Sequence, residues 1–64
     1  MNYRCYFFGF SGHFVGSHAF DAKDDEEALI LARRLYAIYA ESVRWAYGLE
    51  LWQRGRLVHT EPKA

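Results

Sequence analysis

The sequence predicts an α+β fold of order ββαββ, in which two hairpins form one four-stranded antiparallel sheet and one long amphipathic helix packs on one of its faces. Residues 3–10 and 14–20 are rich in aromatic and β-branched side chains and flank "SGH", as the strands of a hairpin do. The stretch "DAKDDEEALILARRLYAIYAESVRWAY" combines an acidic start with helical spacing of its apolar residues. The segment "LELWQRGRLVHT" has the pattern of a second hairpin with its turn at Arg54-Gly55.

Composition limits the chain to one small domain, predicted over residues 1–60, with residues 61–64 as a flexible C-terminal tail. Hydrophobic residues make up 52% and aromatic residues 19% of the 64 positions, which indicates a folded domain. A domain of this size buries only about 60% of the surface that its unfolded chain exposes. The single cysteine, Cys5, allows no intrachain disulfide, and no Cys/His spacing predicts a zinc site. Oligomerisation remains as the means of stabilising the fold.

Charge and hydropathy argue against several classes of protein. Eight Lys/Arg balance eight Asp/Glu, whereas proteins dedicated to nucleic acids or membrane surfaces carry a strong basic field. We expect no signal peptide, and the apolar stretch "ALILARRLYAIYA" contains two arginines and is shorter than a membrane span. We therefore expect a cytoplasmic protein with no membrane partner.

The helix has a clear predicted start and an open end. Asp24 is the expected N-cap, and Glu27, three residues later, is its expected partner in a capping box. Two ends are possible, one near Ala40 and one at Tyr47 with Gly48 as the first residue beyond the helix. On the predicted core face lie Ala28, Leu31, Ala32, Leu35 and Tyr39, flanked by Leu29, Tyr36 and Ile38, while Ile30, Arg33, Arg34 and Ala37 point away.

Both faces of the predicted sheet are partly apolar. In the first strand, even-numbered positions place Arg4, Tyr6, Phe8 and Phe10 on one face, and Tyr3, Cys5 and Phe7 take the other. If Gln53 pairs with Arg56, the second hairpin places Leu49, Leu51 and Val58 on one face and Glu50, Trp52, Leu57 and His59 on the other. One helix covers only one face, so the other needs a different cover.

An exposed apolar face on a small protein marks an interaction surface. We therefore predict a cytosolic protein-interaction module that forms a homodimer through the helix-free sheet face or an edge strand. The pattern leaves open which face the helix takes. The candidate contact residues are Tyr6, Phe8, Phe10, Trp52 and Leu57.

Two other binding roles remain open. Sheet aromatics together with Arg4, Arg54 and Arg56 are typical of surfaces that bind single-stranded nucleic acid, although the zero net charge and the acidic helix start oppose this reading. A regulatory, antitoxin-like role is also compatible with a small ββα-containing domain.

No catalytic, metal or cofactor site is predicted. Cys5 and His18 lie opposite each other if the first loop is Ser11-Gly12, whereas a three-residue loop with a bulge at Gly12 separates them. Even when paired, they lack a third orienting group. The three histidines have no metal-ligand spacing, and the five glycines match no nucleotide loop. Glu50 and His59 are expected to form a cross-strand surface pair.

The chain resembles small bacterial, mostly proteobacterial, ββαββ proteins of the domain-of-unknown-function type. The resemblance lies in the aromatic first strand, the hairpin "SGHFVG", the helix start "DDEEALILAR" and the C-terminal "ELWQRGRLV". It implies the ββαββ fold and carries over no catalytic or binding residues.

Overall fold

The predicted ββαββ order is confirmed in a computed structural model that describes residues 1–9, 12–42 and 46–61. The elements are β1 (Asn2–Gly9), β2 (Phe14–Asp21), α1 (Asp25–Ser42), β3 (Ala46–Gln53) and β4 (Arg56–Thr60). The four strands form one sheet in the order β2-β1-β3-β4, and each pair of neighbours is antiparallel. The two hairpins therefore join along β1 and β3, and α1 connects them.

The core lies between α1 and the face formed by odd-numbered residues of the two central strands. Tyr3, Cys5 and Phe7 of β1 are at most 2% exposed, as are Leu49 and Leu51 of β3. Cys5 pairs with Leu51 and Phe7 with Leu49, so the buried side chains are direct cross-strand neighbours. The even-numbered residues of β1 consequently face away from the helix.

Small residues let the helix lie close to this sheet face. Ala28 and Ala32, one helical turn apart, are both fully buried. Around them, the ring of Phe7 stacks on that of Tyr39, with centroids 4.8 Å apart, and contacts that of Tyr36 at 5.8 Å. Ile38 is 66% exposed, so its predicted place beside the core is wrong. Ile38 lies six positions after Ala32, which places its side chain roughly 120° from that of Ala32 around the helix axis.

The predicted N-cap is confirmed. The Glu27 backbone N–H donates to Asp24 Oδ1 at 2.9 Å. The Glu27 carboxylate accepts from the backbone N–H of Lys23 at 2.8 Å, one residue before the position that a capping box uses. The helix ends at Ser42, so the longer alternative to Tyr47 is wrong, and Gly48 lies within β3.

The first hairpin combines both of its predicted registers. Gly9 accepts from Gly12 N–H and donates to the His13 carbonyl, both at 2.9 Å, and Gly12 has a φ of 81°. This is the arrangement of the longer loop with Gly12 in the left-handed region. A second irregularity beside Val15 restores the other register, so Cys5 still pairs with His18.

The second hairpin keeps the predicted register through the pairs Gln53–Arg56 and Trp52–Leu57 and departs from it beyond them. Trp52 pairs with Leu57 and Leu51 with His59, so Val58 is an extra residue in β4. The expected Glu50–His59 pair is therefore wrong, and His59 lies on the helix side. The start of the predicted tail is bonded to the sheet, because Glu61 N–H donates to the Leu49 carbonyl at 2.9 Å.

Candidate interaction surface

The sheet face opposite the helix carries a continuous set of large side chains. We call this surface the open face and define it by the side chains of Arg4, Tyr6, Phe8, Phe14, Glu50, Trp52 and Leu57. Phe14 is 57% and Leu57 47% exposed, and Tyr6, Phe8 and Trp52 are half-buried. Since α1 packs on the other face, no element among the described residues covers this one.

Strand register explains how these side chains come together. Arg4 pairs with Trp52 across the β1–β3 boundary, and Tyr6 pairs with Glu50. Leu57 of β4 pairs with Trp52, ahead of the extra residue Val58, and so lies on the same face. The predicted contact residues Tyr6, Phe8, Trp52 and Leu57 thus share one surface, and Phe10 lies outside the described residues.

One end of the open face is an aromatic cluster. The ring of Phe14 contacts that of Tyr6, with centroids 6.1 Å apart. It also contacts the ring of Phe8, with centroids 6.4 Å apart and an angle of 75° between the ring planes. Phe14 was not among the predicted contacts. Its position follows from the longer first loop, which pairs Phe8 with Phe14, while Val15 packs against the core. Gly12, which favours such a loop, was the sequence signal for this pairing.

The other end of the open face is a groove of about 650 Å³ with mixed chemistry. Arg4, Tyr6, Glu50, Trp52 and Arg54 contribute to its lining. The Trp52 indole N–H donates to Glu50 Oε1 at 3.0 Å, which fixes both side chains in the groove wall. Among the described residues, Arg4 and Arg54 form no ion pair, so the groove presents two guanidinium groups beside a carboxylate and an indole.

The third predicted arginine lies on the other side of the sheet. The guanidinium group of Arg56 donates to both carboxylate oxygens of Asp25, at 3.0 and 3.1 Å, and to Gln53 Oε1 at 2.6 Å. The Tyr3 hydroxyl donates to the same Asp25 carboxylate at 2.7 Å. Arg56 therefore joins β4 to the helix start and does not share the open face with Arg4.

These bonds explain two altered pKa values. The hydrogen bonds from Arg56 and then from Tyr3 stabilise the charged carboxylate and lower the pKa of Asp25. Burial, together with the bond to Asp25, raises the pKa of Tyr3 to about 12. Tyr3 is 2% exposed, so this group is a structural link between sheet and helix.

The structure pairs Cys5 with His18 across neighbouring strands but places the two side chains in different environments. Cys5 is fully buried, and burial raises the pKa of its thiol, which disfavours the thiolate that nucleophilic chemistry needs. His18 is exposed on the edge strand and contacts the Phe7 ring at 6.5 Å. Cys5 acts as a small apolar core residue.

His59 contacts a different carboxylate from the one expected. Its Nε2 lies 3.8 Å from Glu61 Oε2, and Arg33 Nε donates to both oxygens of Glu61 at 3.0 and 3.2 Å. The bonds between Arg33 and Glu61 link the end of β4 to the helix. Across residues 1–9, 12–42 and 46–61, no group of three or more His, Cys, Asp or Glu side chains is arranged to hold a metal ion.

Comparisons with known proteins assign neither a family nor a function to this surface. No family model, curated protein or solved structure matches the chain. The likeness to bacterial ββαββ proteins stays a prediction. Within the described part of the chain, no helix is long and apolar enough to cross a membrane.

Proposed function

We propose that the chain is a small protein-interaction module that forms a homodimer through the open face. The observation that carries this proposal is the exposure of Phe14 and Leu57, at 57% and 47%, beside the half-buried Tyr6, Phe8 and Trp52 on one uncovered sheet face. Exposed aromatic and aliphatic side chains in one contiguous patch are typical of protein interfaces.

Charge and size favour a second copy as the partner. The chain has a formal net charge of zero, so two copies do not repel each other at long range. The open face carries both signs, with Arg4 beside Glu50, and Arg54 adds a second cation in the groove at its end, so the surface can complement itself. A stable interface buries about 800 Å² per partner, which is roughly a fifth of the 4256 Å² surface of this chain.

Dimerisation also stabilises a domain of only 64 residues that has no disulfide. Among the described residues, eight form the buried core, and three of them are alanines. Covering the open face adds apolar burial of about 25 cal/mol per Å² to this small core. The proposed role is binding rather than catalysis, in the cytoplasm, where Cys5 stays reduced.

Sedimentation equilibrium over a wide concentration range tests the dimer. We expect wild type to fit a monomer–dimer equilibrium and Trp52→Lys to raise the dimer Kd by at least about tenfold, because buried Trp residues are frequent hot spots. Phe8→Lys is expected to act in the same direction. Ile38→Lys is the matched control, since Ile38 is 66% exposed on the helix and its substitution leaves the open face intact.

Two outcomes contradict the proposal. A wild type that stays monomeric at all concentrations excludes the dimer, and a dimer weakened by Ile38→Lys but not by Trp52→Lys assigns it to the helix. Circular dichroism of each variant confirms that the fold is kept.

Single-stranded nucleic acid is the second candidate, favoured by Arg4 and Arg54 in the groove beside Trp52. Fluorescence anisotropy with labelled oligouridine at physiological salt measures it. Monomeric wild type that binds the oligomer with strong salt dependence, and loses binding in Arg4→Glu, supports this candidate over the dimer.

A further inference from the structure

The register of the central strands gives the open face an internal complementarity. Along the boundary between β1 and β3, Arg4 lies beside Trp52 and Tyr6 beside Glu50. In the first pair, a cation on β1 lies beside an aromatic ring on β3. In the second pair, a hydroxyl donor on β1 lies beside a carboxylate on β3. A second copy that presents its β3 to this β1 therefore meets matching chemistry.

We infer that the two-fold axis of the dimer runs along the β1–β3 boundary, so that Tyr6 of each protomer lies over Glu50 of its partner. This inference rests on the proposed function. An axis in this direction exchanges β1 with β3 and β2 with β4 across the interface. Arg4 then lies over the partner's Trp52, where a guanidinium group interacts favourably with the indole face.

An axis perpendicular to the strands that crosses them at the level of Tyr6 creates a repulsive contact. It stacks β1 on β1 and β3 on β3, so Glu50 lies over the partner's Glu50. Two carboxylates that lose water together repel each other. The axis along the boundary instead gives each Glu50 the partner's Tyr6 hydroxyl as a donor.

The carboxylate of Glu50 is held in place on the open face. The Trp52 indole N–H donates to its Oε1 at 3.0 Å. The bond from Trp52 also orients the carboxylate before association, which reduces the entropy lost on binding.

The outer strands fit the same axis. Ala19 of β2 lies at the level of Arg4, and Leu57 of β4 lies at the level of Trp52. Exchange of β2 with β4 sets the small Ala19 against the partner's Leu57, which is 47% exposed. Small opposite large is the arrangement that lets two sheet faces pack about 10 Å apart.

Cysteine crosslinking between two singly substituted chains tests the axis. Ser17→Cys and Thr60→Cys are mixed and treated with a bismaleimide that spans about 10 Å, the distance between packed sheets. Ser17 pairs with Tyr6 and Thr60 with Glu50, so the inferred axis sets Ser17 over the partner's Thr60 and keeps the two copies of Ser17 on opposite edges. Each chain carries one new thiol, so a 17-to-60 link joins two different chains. Wild type, whose Cys5 is fully buried, is the control for reaction of the native thiol.

The outcomes separate the axis from the dimer itself. We expect crosslinked dimer in the mixture and little in either variant alone. Efficient crosslinking of Ser17→Cys with itself overturns the axis and leaves the dimer in place. A dimer by sedimentation that gives neither link shows that another surface is used, and monomers in both assays reject the proposed function together with the axis.

Glu50→Gln gives a second readout without cysteines. Its amide oxygen still accepts the Trp52 bond, but the charge that strengthens the bond from the partner's Tyr6 is lost. We expect the dimer Kd to rise by about three- to tenfold. A tighter dimer in Glu50→Gln indicates relief of carboxylate repulsion and contradicts the inferred axis.

Discussion

Close approach between strand and helix at Gly16 shows how single atoms limit this fold. A Cβ at position 16 would lie 2.7 Å from Tyr39 Oη and 3.0 Å from its Cζ. The Tyr39 hydroxyl is held in that place because it donates to the Val15 carbonyl. The ring is held too, since it stacks on Phe7.

Gly16→Ala is therefore expected to destabilise the chain by about 1–3 kcal/mol, because Tyr39 must move and lose its hydrogen bond. Chemical denaturation measures the change. Gly55→Ala is the control, as no heavy atom lies within 4 Å of its added Cβ. Equal stability of the two variants would show that Tyr39 moves without cost.

Tyr3 is expected to make stability depend on alkaline pH. Its pKa is about 12 in the folded chain against an ordinary value of 10.0, mainly because of burial. Since the folded pKa is the higher one, this contribution to stability is complete below pH 10.0 and is lost as the pH rises toward about 12. Tyr3→Phe is expected to lose less stability than wild type over this range.

Unfolding by denaturant at several alkaline pH values measures that difference. Tyr6→Phe is the matched control, because it removes a tyrosine from the open face and leaves the Tyr3–Asp25 bond in place. An unchanged alkaline slope in Tyr3→Phe contradicts the assignment.

Asp25 is expected to act in the opposite direction. The Arg56 guanidinium group holds the pKa of Asp25 below 3.8, so its contribution is present above pH 3.8 and is lost as the pH falls through the folded value. Asp25→Asn should flatten this acid-side loss in unfolding measurements. Asp21→Asn is a surface control, and an identical acid slope in wild type and Asp25→Asn would rule out the linkage.

At the scale of elements, the helix start was predictable in detail and the helix end was not. Asp24 and Glu27 are capping residues with a known spacing, and the Asp24 cap forms as that spacing predicts. Nothing between Ala40 and Tyr47 breaks a helix, and yet β3 begins at Ala46. As part of β3, Leu49 and Leu51 pair with β1. The apolar surface that they bury in this way stabilises the chain more than a longer helix would.

Asp24→Ala is expected to cost about 0.5–2 kcal/mol of stability, as the loss of an N-cap typically does. Thermal or chemical unfolding measures it. Glu41→Ala, at an exposed position near the helix C-terminus, is expected to be neutral or slightly stabilising. Similar losses in both variants would argue against a specific cap at Asp24.

Strand faces were predictable only up to the bulges. Alternation along β1 correctly groups Tyr6 with Phe8 and Cys5 with Phe7. The extra residues at Val15 and Val58 change the register within each hairpin, and the one at Val58 places His59 on the helix side. A pattern of period two contains no sign of where one residue is inserted, and both faces of β1 are apolar, so the side taken by the helix was not predictable either.

At the scale of the whole molecule, the fold leaves one apolar face without a cover from the described residues. Ala28 and Ala32 bring α1 onto the odd-numbered face of β1 and β3, and the aromatic side chains of the open face remain accessible. The sequence predicted most of this surface because β1 has large residues at both odd and even positions. Both faces of the sheet are therefore apolar, and the helix covers only one of them. The partner itself leaves no pattern in a single chain.

The central claim is that a second copy covers the open face. Its most direct test is isotope-filtered NMR on a mixture of labelled and unlabelled chains at high concentration, which detects only contacts between different copies. We expect such contacts for Tyr6 and Trp52, and none for Ile30 and Ile38 on the outer side of the helix. Contacts confined to the helix, or none at any concentration, would contradict the claim.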